Sequence, residues 1–247
     1  MIDPENDILL SIILPAHNEQ ERISDCLEKV NAFLSNHDFT AEVIVVENGS
    51  SDRTVEIVEE YQKKYPWLKL LQTEGVGKGL AVKTGMLAAR GQYRFFADVD
   101  FSMPVEEILH FIPPQRANYS IAIGSREVKG AVRYNEPSYR HFTGRIFNNI
   151  VQILAVPGIM DTQCGFKCFS ADAAEKIFPL QRLNGWAFDV ELLYIARKNG
   201  FDIQEVPVHW YYDGQSKVNV LKDSFRMFKE LLQIRRNGRA GLYKIPQ

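Results

Sequence analysis

The strongest constraint on this chain is an alternation, through Asp100, of short β-rich apolar runs with helical patterns. Residues 9–14 (LLSIIL), 42–47 (EVIVVE), 68–72 and 93–97 (YRFFA) read as strands. Amphipathic stretches to about Ser35, to about Lys64 and over 77–90 read as the helices between them. Pro15 closes the first run, since proline does not continue an interior strand. Asn18 with Glu21 three residues on resembles a capping box, and Ser51, in the turn Asn48-Gly49-Ser50-Ser51, reads as the cap of the second helix, which Pro66 stops. Three β-α steps require right-handed crossovers and a mostly parallel sheet. Ligands of such sheets sit beyond the carboxyl ends of the strands. That rule brings residues 15–19, 47–51, the glycines after Gln72 and 98–100 to one rim.

The second half is less regular. Residues 120–124 read as a strand, 129–137 as a loop, 138–155 as an amphipathic helix and 164–170 as extended. Residues 186–199 read as helical, 202–210 as a strand that Pro207 marks as an edge, and 220–236 as a last helix. The expected organisation is one α/β domain over 1–217, followed by a basic amphipathic helix and tail over 218–247.

Composition narrows the classes. In 247 residues, 45% are hydrophobic and the formal net charge is −2, which excludes a disordered chain and a protein whose main partner is nucleic acid. Three cysteines, Cys26, Cys164 and Cys168, make no disulfide framework and read as buried thiols of a reducing compartment. The acidic start does not read as an export signal, and no run approaches the roughly 20 apolar residues of a spanning helix.

The residues that carry chemistry lie on the expected rim. Asp98 and Asp100, two apart at a strand end, form a pair suited to a hard divalent cation, or a pair of solvated turn residues. Arg126 follows the next apolar strand, with Arg133, Arg140 and Arg145 soon after, and arginine suits bidentate contact with phosphate. Acidic pair and arginines together suggest a diphosphate leaving group. The run GVGKG (75–79) is neither G-x-G-x-x-G nor a Walker A sequence, yet at a strand-to-helix junction it offers N–H groups and Lys78 to an anion. Asp161 reads as a turn residue or a further acidic group. Trp186, Phe188, Leu192 and Leu193 fall on helical spacing and read as core, while Asp189 and Glu191 lie off that stripe, where they can face a pocket.

In order, SIILPAHNE, VIVVENGSSDRT, GVGKGLAVKTG, FFADVD, GSR and DTQCGFK resemble the inverting family 2 glycosyltransferases with the GT-A fold. MDTQCGFK and GWAFDVELLYIARKNG are most similar to the polyprenyl-phosphate sugar synthases of the dolichyl-phosphate β-glucosyltransferase branch. The resemblance covers about Ser11 to Ile234 and implies a Rossmann-like, mostly parallel sheet with flanking helices. It further implies that Pro15, Ala16 and Glu19 contact base and ribose, that Glu47 stands where relatives carry aspartate, and that Gly77, Lys78, Asp98 and Val99 adjoin the nucleotide sugar. Asp98, Asp100 and Ser102 would hold Mg²⁺ or Mn²⁺. Arg126 and Arg140 would hold the phosphate of a lipid-phosphate acceptor, and with Asp100 would form the catalytic group.

An anionic phosphate acceptor needs no strong base, whereas a hydroxyl acceptor would need one, with Asp161 the first candidate. The expected reaction is transfer of glucose from UDP-glucose to a polyprenyl phosphate. GDP-mannose, UDP-N-acetylhexosamines, a soluble acceptor and a non-catalytic binding subunit remain open alternatives. Val218, Leu221, Phe225, Phe228, Leu231, Leu232 and Ile234, interleaved with Lys222, Arg226, Lys229, Arg235, Arg236 and Arg239, suit either an anionic membrane surface or packing and a homo-oligomer contact. The expected location is the cytoplasm or, peripherally, the cytoplasmic face of a membrane.

Overall fold

The computed structural model describes residues 8–212 and 220–246. Four strands, β1 (Leu10–Ala16), β2 (Ala41–Glu47), β3 (Leu68–Gln72) and β4 (Tyr93–Phe96), alternate with α1 (Ile23–Ser35), α2 (Thr54–Lys64) and α3 (Lys78–Ala88). The chain continues through a 3-10 turn (Val105–Phe111), β5 (Ile121–Ser125), β6 (Val132–Tyr134), α4 (Ser138–Leu154), β7 (Lys167–Ser170), α5 (Ala171–Ile177) and a second 3-10 turn (Phe178–Leu180). It ends with α6 (Phe188–Lys198), β8 (Ile203–Pro207), β9 (His209–Tyr211) and α7 (Val220–Arg239). Seven strands form one sheet in the order β3-β2-β1-β4-β7-β5-β8, and β6 pairs with β9 apart from it.

Successive strand residues alternate between two cores, as the pleat requires. Ile12, Leu14, Val43 and Val45 face one cluster with Leu27 and Val30 of α1 and Phe111 of the 3-10 turn. Ile13, Ile44 and Val46 face the other, with Ala81 and Val82 of α3, Ile177 of α5, Leu192 and Leu193 of α6, and Leu231 and Ile234 of α7. Burying each large aliphatic side chain stabilises the fold by roughly 1.5–3 kcal/mol. Helices therefore cover both faces of the sheet, a three-layer α/β arrangement.

Proline does not end the first strand. Pro15 and Ala16 continue β1 in parallel register with Val46 and Glu47. Backbone groups of β1 point alternately to its two neighbours: Ala97 donates to Ile13 O and Asn48 to Ala16 O. Pro15 thus aims its missing N–H at the β4 side, where pairing has already stopped at Ile13↔Phe96. No ladder bond is lost.

The second half corrects the reading more. β7 runs antiparallel to both β4 and β5, so the residues before it arrive on the same rim as the ends of its parallel neighbours. The expected loop at 129–137 contains β6. The single strand expected over 202–210 is two: β8, at the sheet edge as Pro207 suggested, and β9, which turns away to pair with β6. Helix α5 and the first 3-10 turn were not anticipated. The described part of α7 sends Met227, Leu231 and Ile234 inward and leaves Phe228 and Leu232 exposed. Val218 and the side chains of Leu221, Lys222 and Phe225 lie outside the described residues.

Candidate active site

The rim forms as expected from the ends of β1, β2, β3, β4 and β5, and its loops are tied to one another. Asn18 does not cap α1, whose N-cap position is Arg22 and carries no side-chain capping bond. It adopts φ +53°, and its Oδ1 accepts from Ser51 N–H at 2.8 Å. Ser50 Oγ accepts from Asn18 N–H and Thr54 Oγ1 from Glu19 N–H. Nor does Ser51 cap α2: Asp52 Oδ1 accepts from Thr54 N–H. His17 Nδ1 lies 2.8 Å from Asn48 O. Asn48 Oδ1 accepts from Gly77 N–H at 3.0 Å, joining the third loop to the second.

Several expected nucleotide contacts are therefore part of this scaffold. Glu47 is buried and accepts from Ser50 N–H, closing its own turn. Glu19 pairs with Arg22 at 2.7 Å. Pro15 is half-buried at the rim, while the side chains of Ala16 and Val99 belong to the first core, so what those two turn to the rim is backbone. Gly77 has φ +150° and lies against the Asn184 backbone, a position where a side chain would clash.

Asp98 and Asp100 follow β4 directly. Asp100 Oδ1 accepts from Ser102 N–H at 3.0 Å. Burial, then the neighbouring Asp98 charge, pushes the Asp100 carboxyl above its ordinary value. Lys78, the first residue of α3, places Nζ 2.5 Å from Asp98 Oδ1 and 5.5 Å from the Trp186 ring centroid. Burial opposes the Lys78 charge, but Asp98, Asp189 and Asp100 outweigh it and hold the ammonium above its ordinary value. Trp186 is 38% exposed beside Lys78 and precedes α6, which corrects its assignment to the core; Phe188, Leu192 and Leu193 are buried as expected.

Arg126 and Asp161, separate candidates in the sequence, form one unit. Arg126 Nε and Nη2 donate to Asp161 Oδ2 and Oδ1 at 2.7 and 3.0 Å, and Arg126 N–H donates to Oδ2 at 2.9 Å. Burial would raise the Asp161 carboxyl, but Arg126 overcomes this and lowers it to about 2. The Arg126 guanidinium lies 5.3 Å and that of Arg133 5.8 Å from the Trp210 ring centroid. Arg133 and Arg145 are both engaged by Glu127. Arg140 lies in α4, its side chain outside the described residues.

A buried pair next to the acidic motif was missed. Lys167, fully buried on β7, donates to Asp189 Oδ1 at 2.7 Å and to Cys164 O at 2.6 Å. Asp189 does face the site side, toward Lys78. Glu191 does not: fully buried, it accepts from the Leu183 and Arg182 N–H groups and from the Tyr243 hydroxyl. The signal for Lys167 was a lysine inside the otherwise apolar FKCF strand. The three cysteines are buried thiols, and burial pushes Cys164 up to about 11. Asp98 and Asp100 supply the oxygen donors that suit a divalent ion.

Residues 11–178 match the family described as Glycosyl transferase family 2. A dolichyl-phosphate beta-glucosyltransferase of Trichomonas vaginalis is 37% identical, covering 97% of this chain and 74% of its own. The dolichyl-phosphate beta-glucosyltransferase of Saccharomyces cerevisiae is 32% identical, covering 97% of this chain and 78% of its own. Among solved structures, glucosyl-3-phosphoglycerate synthase from Mycobacterium tuberculosis in complex with Mn²⁺, UDP-glucose and phosphoglyceric acid has a TM-score of 0.68 at 14% identity, covering 97% of this chain and 81% of that one. At that identity the likeness speaks for the fold, a GT-A-like sheet with its helices. The family match spans the strands and loops that build the rim, and relatives of one name extend it over nearly the whole chain, so the chain belongs to glycosyl transferase family 2 and is a glycosyltransferase.

Proposed function

We propose that the chain transfers glucose from UDP-glucose to dolichyl phosphate with inversion at the anomeric carbon, aided by Mg²⁺ or Mn²⁺ at Asp98 and Asp100. The observation that carries the choice of acceptor is the state of Asp161. A carboxyl lowered to about 2 and gripped by Arg126 is a weak base, poorly suited to deprotonate a sugar or glycerate hydroxyl. An acceptor phosphate is already anionic near neutral pH and needs alignment and charge stabilisation instead. The name of the relatives supports the same acceptor and sugar.

In this reading the chain's residues orient and stabilise. Asp161 takes the Nε and Nη2 edge of Arg126, and the Nη1 edge meets the acceptor phosphate, with Arg140 as its expected partner. Pro15, Ala16, Glu19, Glu47, Gly77 and Val99 shape the nucleotide subsite. Asp98 and Asp100, with Ser102 N–H fixing Asp100, would hold the cation, which when bound would neutralise the departing diphosphate. A phosphate oxygen attacks the anomeric carbon as the bond to the diphosphate breaks on the opposite face.

The acceptor's lipid requires contact with a bilayer. Among the described residues no helix is long and apolar enough to cross one. The outer face of α7 joins exposed Phe228 and Leu232 to Arg226, Arg236 and Arg239, a composition suited to anionic headgroups on a cytoplasmic membrane face.

The test is a donor panel of labelled UDP-glucose, GDP-mannose and UDP-N-acetylglucosamine, with divalent metal, with and without a short dolichyl phosphate. The expected result is organic-extractable label from UDP-glucose alone, dependent on lipid phosphate and lost with chelator. Label from another donor would overturn the sugar, and label appearing only in a water-soluble acceptor would overturn the lipid phosphate.

A further inference from the structure

The carboxylate expected to meet a divalent cation already meets another positive charge. Lys78 Nζ stands 2.5 Å from Asp98 Oδ1. The other oxygen, Oδ2, lies against Gly165, where even a Cβ would overlap the carboxylate. Gly165 thus backs Asp98 and limits its retreat from the ammonium. A metal ion and an ammonium on one carboxylate oxygen would repel each other at contact distance, where the Coulomb term is largest.

Lys78 has somewhere else to go. Asp189, 5% exposed and anchored at 2.7 Å by the fully buried Lys167, attracts the same ammonium. Lys78 is also the first residue of α3, where the helix dipole favours an anion, although the Gly77 and Gly79 N–H groups are already taken by Asn48 Oδ1 and Asn184 O. A diphosphate arriving there would offer the ammonium new partners as it leaves Asp98.

We propose that Lys78 is the resident counter-ion of the Asp98 carboxylate, and that a nucleotide diphosphate admits the divalent cation by drawing this ammonium away. The proposal rests on the metal and donor reading above. Asp189 and Lys167 are then positioning residues, giving Lys78 a second negative neighbour. Part of the mutual strengthening of metal and nucleotide comes from this relocation, beyond direct contact between the two, and by linkage it acts equally on both affinities.

The test is Mn²⁺ binding to the full chain, read from the electron paramagnetic resonance of free Mn²⁺, with and without saturating UDP. Wild type is expected to bind Mn²⁺ weakly alone and more tightly with UDP. Lys78→Met is expected to bind Mn²⁺ alone at least about tenfold more tightly than wild type, since a unit charge has left contact with the ligand oxygen. Its gain on adding UDP shrinks accordingly. Lys78→Arg, which keeps the charge, stays close to wild type, and adding Asp98→Asn to Lys78→Met abolishes the gain. Lys78→Gln replaces the methionine variant if that variant fails to fold by circular dichroism. Unchanged or weaker Mn²⁺ affinity in the folded uncharged variant, with UDP-dependent binding intact in wild type, overturns this proposal alone. No Mn²⁺ binding by wild type even with UDP overturns the metal reading and the proposal together.

Discussion

Asp161 accepts three hydrogen bonds from Arg126, two from the guanidinium and one from the backbone amide, so loop and side chain are fixed by one carboxylate. Its pKa falls from an ordinary 3.8 to about 2. The folded state therefore binds fewer protons than the unfolded state between these values, and stability falls as pH falls. The contribution is complete above about pH 4–5 and lost toward pH 2, on the order of 2 kcal/mol. Urea midpoints of wild type should decline across that window more steeply than those of Asp161→Asn, which starts lower.

Arg126→Lys keeps a positive charge but loses the planar fork that grips Asp161 on one edge. Turnover should drop about a hundredfold, the scale of losing an oriented donor at a reacting group. The loss should fall on dolichyl phosphate kinetics, with the KM for UDP-glucose little changed. Initial-rate measurements varying each substrate in turn check this.

Lys167 and Asp189 are both buried, so removing either one takes the direct ion-pair partner from the other. Lys167→Met and Asp189→Asn should each destabilise the fold by about 3–5 kcal/mol. The double variant should lose less than the sum, because neither charge is then left alone. Chemical denaturation of the four proteins gives the coupling energy directly.

Gly165→Ala brings a methyl group into the Asp98 carboxylate. Because Asp98 is a third exposed, the carboxylate can move. Thermal stability should fall by only about 1–2 kcal/mol, while turnover falls far more. A melting curve beside a metal-dependent transfer assay separates the two.

Tyr243→Phe removes the hydroxyl that Glu191 accepts from at 2.5 Å, deep in the second core. Stability should fall by about 1–3 kcal/mol, the cost of leaving a buried acceptor short of a donor. Turnover per folded molecule should be unchanged. Denaturation midpoints and active-site-normalised rates test both.

The parts of this molecule that could be read in advance are those governed by neighbours in sequence. Strand periodicity in residues 9–14 and 42–47, together with the crossover rule, correctly brought Asp98, Lys78 and Glu47 to one rim. What escaped depends on residues far apart. The direction of β7 is decided by pairing with β4 and β5, and β6 forms only because β9 leaves the sheet to meet it. Asn18 has the local look of a helix cap, yet its amide serves Ser51, 33 residues later. Glu191 and Asp189 are two apart on one helix, but only the structure separates an acid that faces Lys78 from one that ties down Tyr243.

The stitching of Asn18 to Ser51, and of Asn48 to Gly77, has a thermodynamic consequence for ligand capture. These loops adopt their arrangement as the sheet forms, so their conformational entropy is surrendered during folding and not again when a nucleotide arrives. A glycine at Asn18 or an alanine at Asn48 would move that loss to the encounter itself. The damage would then appear as slower, weaker capture of donor even in a molecule whose reacting groups were untouched.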